Sequence, residues 1–489
     1  MKNTLKQTFL YGLSNIAIKA AGLVLIPFYT GSLTSSDYGQ LVILEIIAQF
    51  VVGLVSFQIP QAFLRLGSNL KNLGERKELY STCFALLLCF SVCFGFLFFP
   101  LASILSESIF SSESFEPILQ LLTLSIILEV VGLLPLQLLR LQEKSTAYLS
   151  LVTLKLLTLI VAVWYLVVLN GEGVYGAIKA IALSNFVFLL ATLPMQVAHI
   201  RFSFNVDQSR QIYRYSGPLI FTTLAALMLT LADRLIIKFF GQFDEVGVYA
   251  LAYKIGSLSN LLIIASFSLG FLPIAYRKFD QPDFKSFFSK TMTLYLSLTI
   301  LLTLVISVFG EEIVVLLSRG ETSFWAAAIL VPFIAFIFIF KALNNYLSYI
   351  FLIAKKTKNH AFVTIIGVCL NIILNFLFIP NYGIYGAVAA TGLSYVTMCL
   401  ISYVKAQRLV KITYDFKRIF LLIISSVIAI VVAMLLGEMS LILKLGIKVV
   451  IVSIFLLFIL FIVVKREERA QLKTDLREFK KKLNLKHRE

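Results

Sequence analysis

Apolar runs of about 20 residues recur along the whole of this chain, each closed by a short polar break. That pattern restricts the fold more than any other feature. A run of this length is enough helix to cross the hydrocarbon core of a bilayer, and a helix satisfies its own backbone hydrogen bonds there. Of the 489 residues, 59% are hydrophobic, and the mean hydropathy is +0.92. A soluble core of that size could not hide so much apolar surface. A membrane barrel would alternate over segments of about 10 residues, and the sequence does not. The chain is therefore predicted to be an all-α polytopic membrane protein with about 14 transmembrane helices. The spans fall at roughly 5–29, 38–64, 79–104, 116–139, 146–169, 174–198, 216–239, 246–275, 288–309, 324–353, 360–379, 384–404, 419–436 and 443–464. Leu5 to Phe28 is too long for the apolar part of a cleavable signal and lacks a small-residue cleavage site, so it reads as a retained first helix.

The net charge of +17 would suggest nucleic acid in a soluble chain, but its placement points to a membrane. Basic residues gather in alternate loops: Arg65, Lys71, Arg76 and Lys77, then Arg140 and Lys144, then Arg201, Arg210 and Arg214. The series continues with Arg277, Lys278, Lys285 and Lys290, with Lys355, Lys356 and Lys358, and with Lys405, Arg408, Lys411, Lys417 and Arg418. The opposite loops carry Asp37, Glu107, Glu113, Glu172, Asp244, Glu245, Glu311, Glu312 and Glu438, with Lys238, Arg319 and Lys444 as the exceptions. The positive-inside rule then places both termini in the cytoplasm. No nucleic-acid partner is expected. The outer loops are all too short to hold a domain.

The chain is written twice. GVYGAIKAIALSN from Gly173 matches GIYGAVAATGLSY from Gly383, and DYGQLVILEII from Asp37 aligns less closely with EVGVYALAYKI from Glu245. Both matches are offset by about 210 residues, so six spans repeat as the next six; six being even, the halves share one orientation about a pseudo-twofold axis along the membrane normal. The expected organisation is a six-helix bundle over 1–200, a second over 201–410, two additional transmembrane helices over 411–464, and a basic cytoplasmic tail over 465–489. In the tail, Leu472, Leu476, Phe479 and Leu483 recur at helical spacing among basic residues. It could lie on anionic membrane lipids or stand as a solvated helix.

Ionisable residues inside spans are the functional signal, because charge is costly in hydrocarbon. The first helix aligns Thr8, Gly12, Asn15, Lys19 and Gly22 on one stripe, with Lys19 near its middle. Lys155, Lys179, Arg234, Lys254 and Lys341 add further positive charge at membrane depth, against Glu45, Glu129 and Asp233. Lys341 shares a helical face with Asn344, Asn345 and Ser348, and Thr223 and Thr230 share one with Arg234. An unpaired charge in hydrocarbon costs roughly 2.5–3.5 kcal/mol or more, so the surplus of bases needs water, a partner or a negative ligand. One reading is a cationic cavity for an anionic, phosphate-bearing substrate, lined by Lys19, Asn15, Arg234, Lys341, Lys155, Lys179, Lys254 and Asn345. The other is internal pairing, with Asp233, Glu45 and Glu129 as charge partners or as ion-coupling groups. Asn371 and Asn375, with Thr364 and Gly367, form a polar stripe of the kind that glues membrane helices together.

Catalytic chemistry finds little support. Gly171 to Gly176 satisfies GxGxxG but lies between two spans with no strand before it, so the nucleotide reading fails its context. No phosphate-binding P-loop or nucleophile–base triad occurs, and no cofactor is expected. The five cysteines (Cys83, Cys89, Cys93, Cys369 and Cys399) lie in apolar runs without metal-ligand spacing, and His199, His360 and His487 are far apart, so neither disulfides nor metal are expected.

Three stretches together carry a resemblance: the first helix with Lys19 followed by the short loop to DYG, LADRLIIKFFGQFDEVGVYALAYKI from Leu231, and IPNYGIYGAVAAT from Ile379. Their order and spacing, over about the first 410 residues, resemble the polysaccharide flippases of the multidrug/oligosaccharidyl-lipid/polysaccharide exporter superfamily. The resemblance implies two six-helix bundles facing a central cavity that opens alternately inward and outward in the bacterial cytoplasmic (inner) membrane. It implies a substrate of undecaprenyl diphosphate carrying a short glycan, such as an O-antigen or capsule repeat unit. Assembly proteins such as a polysaccharide polymerase are compatible partners. In the peptidoglycan-precursor flippases extra C-terminal helices form a lipid-tail groove; in this chain spans thirteen and fourteen are two extra helices outside the repeat. Two other classes compete. A drug or metabolite antiporter of the same superfamily is opposed by the basic surplus, which disfavours cationic drugs. A membrane glycan polymerase or ligase is opposed by the short outer loops and the repeat.

Overall fold

The computed structural model describes residues 22–70, 72–201, 203–436 and 439–460. Among them the regular elements are all helical: α1 Ile26–Thr30, α2 Ser35–Val55, α3 Ile59–Gly67, α4 Leu73–Leu105, α5 Glu116–Leu141, α6 Ser145–Val163, α7 Gly173–His199, α8 Val206–Phe240, α9 Phe243–Gly256, α10 Ala265–Lys278, α11 Phe284–Val308, α12 Gly310–Leu317, α13 Ala327–Ile353, α14 Thr357–Leu409, α15 Phe416–Met434 and α16 Leu441–Phe458. Twelve helical stretches are long and apolar enough to cross a membrane. Thr357–Leu409 holds two of the sequence spans, and most of the first span lies outside the described residues, so the stretches match the expected spans. The basic tail also lies outside them.

Local chemistry accounts for where helices begin and break. Thr34 caps α2, accepting from the Asp37 backbone N–H while Asp37 accepts from that of Thr34. The single span expected over 38–64 is broken between α2 and α3. Phe57 and Gln58 both adopt positive φ, 47° and 53°, and Pro60 follows at the start of α3. Proline has no N–H to continue the preceding helix, and its fixed φ suits the first turn of the next one.

The two copies of the repeat each open on a glycine at positive φ. Gly173, at the start of α7, has φ 59° and Gly383, inside α14, has φ 54°, a region that only glycine enters freely. At Gly383 the chain reverses. Asn371 and Thr391 are about 30 Å apart along a straight helix at 1.5 Å per residue, yet Asn371 Nδ2 donates to Thr391 Oγ1 over 3.2 Å. The expected loop between spans eleven and twelve is thus a single glycine-centred reversal.

The described chain forms two compact units. The first comprises Met1–Leu251, Val314–Ala327 and Gly367–Thr391. Its described centre is α5 packed between α4 and α7, with α6 against α7. Small residues allow that packing: a Cβ at Gly132 would stand 3.1 Å from the Phe188 ring. Buried Asn185 donates to the Ser125 Oγ at 3.0 Å and its carbonyl at 3.2 Å, joining α7 to α5.

The second unit comprises Ala252–Ile313, Ala328–Ile366 and Gly392–Glu489. An aromatic cluster of Phe267, Phe271, Phe288, Tyr295 and Tyr346 fills its core, with Phe288 and Tyr346 ring centres 4.5 Å apart. Tyr346 donates to the Phe288 carbonyl at 2.7 Å, which satisfies its buried hydroxyl. The two last helices, α15 and α16, pack on α11. Buried Lys448 is gripped by both Glu312 oxygens at 2.6 and 2.7 Å, and Lys444 by Glu311 at 2.7 Å.

Candidate functional site

The first unit contains a cavity of about 410 Å³, within the range of roughly 300–1,000 Å³ typical of small-molecule sites. Its polar lining comes from two helical stripes and the broken segment between α2 and α3. On α2 and its capping residue, Glu45, Gln49, Val52, Gly53 and Ser56 follow at spacings that keep them on one face. On α5, Ser125, Glu129, Leu133 and Gln137 do the same at every fourth residue. Gln58 and Gln61 enter from the break and the first turn of α3, and Thr223 from α8. Leu122, Ile126, Leu133 and Leu227 complete apolar walls. No lysine or arginine lines it among the described residues.

Glu129 sits between this cavity and an adjoining one of about 310 Å³ that it shares with Lys155 and Phe188. There Lys155 Nζ lies 3.8 Å from Glu129 Oε1 and 5.7 Å from the centre of the Phe188 ring. Glu45 makes no ion pair or side-chain hydrogen bond among the described residues. Gln137 is 8% exposed, and its Oε1 has no hydrogen-bond partner among the described residues.

A second charged centre in the first unit is closed on itself. Asp233 and Arg234, only 4% and 5% exposed, are bonded to each other over 3.0 Å between Oδ1 and Nη1. Tyr249 on α9 donates to Asp233 Oδ2 at 2.5 Å, and Arg234 donates to the Thr230 carbonyl at 2.8 Å. The guanidinium also lies 5.4 Å from the Tyr249 ring centre. Each charge therefore has several partners, as buried charges require. Asn371 and Asn375 form the expected polar stripe, Asn375 Nδ2 reaching Asn371 Oδ1 at 3.1 Å and its carbonyl at 2.8 Å.

The other sequence candidates are dispersed. Lys179 is exposed on α7 and lies 3.2 Å from Glu172. In the second unit, Lys341 Nζ stands 5.1 Å from the Phe338 ring centre and 5.8 Å from that of Tyr395. Next to it Asn344 accepts from Ser402 at 2.8 Å, and Asn345 is half-buried on α13. Lys254 is half-buried on α9. Asn15 and Lys19 lie outside the described residues. The glutamines are not ionisable, so the charge pattern within the spans does not single them out. Their signal was present: Glu45 with Gln49, and Ser125 with Glu129 and Gln137, mark polar stripes in otherwise apolar runs.

Comparison with known proteins places this architecture. Residues 32–320 match the family model described as polysaccharide biosynthesis protein. A probable low-salt glycan biosynthesis flippase, Agl15 of Haloferax volcanii, is 25% identical over 222 residues, 45% of this chain and 47% of that relative. The chain thus spans about half the length of the curated relative it matches. Among solved structures, the lipid II flippase MurJ in an inward closed conformation superposes with a TM-score of 0.73, at 14% identity over 91% of this chain and 98% of that one. An inward-facing multidrug resistance MATE family transporter of the MOP superfamily gives 0.63, at 15% identity over 81% and 94%. The chain therefore belongs to the polysaccharide biosynthesis protein family and is built on the fold shared by MurJ and the MATE transporters of the MOP superfamily.

Proposed function

We propose that this protein is a flippase for lipid-linked oligosaccharides, moving undecaprenyl-diphosphate-linked glycan repeat units from the inner to the outer leaflet of the cytoplasmic membrane by alternating access through a cationic central cavity. Membership of the polysaccharide biosynthesis family carries this reading, supported by the glycan flippase relative and the MurJ-like fold. The alternation of basic and acidic loops supports cytoplasmic termini.

The diphosphate falls to the basic residues at membrane depth. Lys19, Lys254 and Lys341, with Asn15 and Asn345 as hydrogen-bond donors, are proposed for the phosphates on their placement at membrane depth. Arg234, Lys155 and Lys179 form ion pairs with Asp233, Glu129 and Glu172. The prenyl chain stays in the bilayer. Membrane lipids and assembly proteins such as a polymerase are the expected partners. Moving about two negative charges outward against an inside-negative potential of about 100 mV releases roughly 4–5 kcal/mol, so the potential can drive the step.

Deleting the gene in its host tests the assignment. Prenyl-diphosphate oligosaccharide should accumulate in the inner leaflet while surface glycan disappears, and the accumulated lipid identifies an O-antigen, a capsule unit or another glycan. Normal surface glycan without accumulated intermediate would count against it.

A further inference from the structure

The flippase reading leaves open where the glycan is recognised. We infer that the cavity between α2, α3 and α5 of the first unit seats a sugar of the substrate headgroup and selects neutral or amino-bearing sugars over uronic acids. The inference rests on the lipid-linked glycan reading and deepens it.

The lining chemistry identifies the ligand class. Glu45, Gln49, Gln58, Gln61, Glu129 and Gln137 all face one cavity of about 410 Å³. Each amide both donates and accepts, and each carboxylate accepts twice, which matches hydroxyl groups that do both. A diphosphate would need bases or clustered N–H donors, and the described lining holds no lysine or arginine. An apolar drug or prenyl chain would offer no hydrogen-bond partner to Glu45 or to the four glutamines. Leu122, Ile126 and Leu133 supply surface for the C–H faces of a pyranose ring.

Two further observations mark the cavity as a binding site. Gln137 is more than nine-tenths buried, lines the cavity, and leaves Oε1 unpartnered. A buried amide oxygen in that state is an acceptor awaiting a donor. The break that presents Gln58 holds two consecutive non-glycine residues, Phe57 and Gln58, at positive φ. Strain of this kind persists where the surroundings impose it, characteristically at ligand sites, and membrane transporters place substrates at interrupted helices.

Charge sets the selectivity. Glu129 is faced by Lys155 at 3.8 Å, whereas Glu45 has no ion pair among the described residues. Among the described residues the lining therefore presents about one net negative charge, which repels a uronate and tolerates or attracts an amine.

The test uses full-length protein in proteoliposomes with no imposed potential and three short-chain prenyl diphosphates, carrying glucosamine, N-acetylglucosamine or glucuronic acid. Transfer of the first two should exceed that of the third by about tenfold or more. Glu45→Gln should bring that ratio towards one. Because the ratio is measured within one preparation, partial misfolding of a variant leaves it unaffected. Gln58→Ala, as a second variant, should slow transfer of the two favoured sugars about tenfold. Equal transfer of all three by the unaltered protein, or a ratio unmoved by Glu45→Gln, would overturn the inference while leaving the flippase reading intact. Transfer of none would overturn both.

Discussion

Gly39 and Gly247, equivalent positions in the two sequence repeats, pack backbone against backbone. A Cβ on Gly39 would overlap the Phe243 carbonyl and stand 3.0 Å from the Gly247 nitrogen, and one on Gly247 would overlap the Ser35 carbonyl. Ser35 Oγ donates to Asp244 Oδ1 at 2.6 Å across the same crossing. The opening of α2 thus meets the opening of α9, both copies of one motif, inside the first unit.

Alanine at either glycine must force the helices apart. Gly39→Ala or Gly247→Ala should cost about 1–3 kcal/mol by overpacking, read as a lower midpoint of thermal unfolding in detergent. A midpoint unchanged by both substitutions would show that the crossing is loose.

If the crossing parts during transport, locking it should stop transport. Ser35→Cys with Asp244→Cys, in a chain whose five native cysteines are replaced, should lose glycan transfer on oxidation and recover it on reduction. Full transfer by the oxidised, cross-linked protein would mean that α2 and α9 stay together through the cycle.

The Asp233–Arg234–Tyr249 centre should behave as a structural unit. Arg234→Ala leaves the Asp233 carboxylate buried beside Tyr249 and should destabilise by about 3–5 kcal/mol. Tyr249→Phe removes one hydrogen bond to a charge and should cost about 1.5–3 kcal/mol. Thermal unfolding ranks the two. Reduced glycan transfer in Arg234→Ala at unchanged stability would instead assign the guanidinium to the substrate.

Lys448 and Glu312 tie α16 to the start of α12. Glu312→Gln strands a lysine that is 2% exposed and should cost about 3–5 kcal/mol, much of it recovered in the double variant Glu312→Gln, Lys448→Met. The more exposed Lys444–Glu311 pair should contribute no more than about 1 kcal/mol. A double-mutant cycle on unfolding midpoints separates these values.

The fold was legible because apolar runs of span length leave the chain few alternatives, and because Gly173 and Gly383 open matching motifs, both at positive φ. The three bases that broke the charge pattern each have a local partner: Lys444 pairs with Glu311, Lys238 lies 4.1 Å from the Phe243 ring centre, and the Arg319 guanidinium lies 5.6 Å from that of Phe28. The break at Phe57 and Gln58 was not legible, since hydropathy runs unbroken across it and only Pro60 hinted at a new helix start. The partners of Asp233 were only half legible. Arg234 is adjacent in sequence, but Tyr249 reaches Asp233 from another helix, and pairing between helices leaves no periodic trace.

The most direct measurement is protein-dependent movement of a prenyl-diphosphate-linked oligosaccharide between leaflets of proteoliposomes, with and without an inside-negative potential. Transfer well above that of protein-free vesicles, accelerated outward by the potential, is the predicted result. Transfer no faster than in protein-free vesicles, in a preparation whose fold is intact by thermal unfolding, would contradict the flippase assignment.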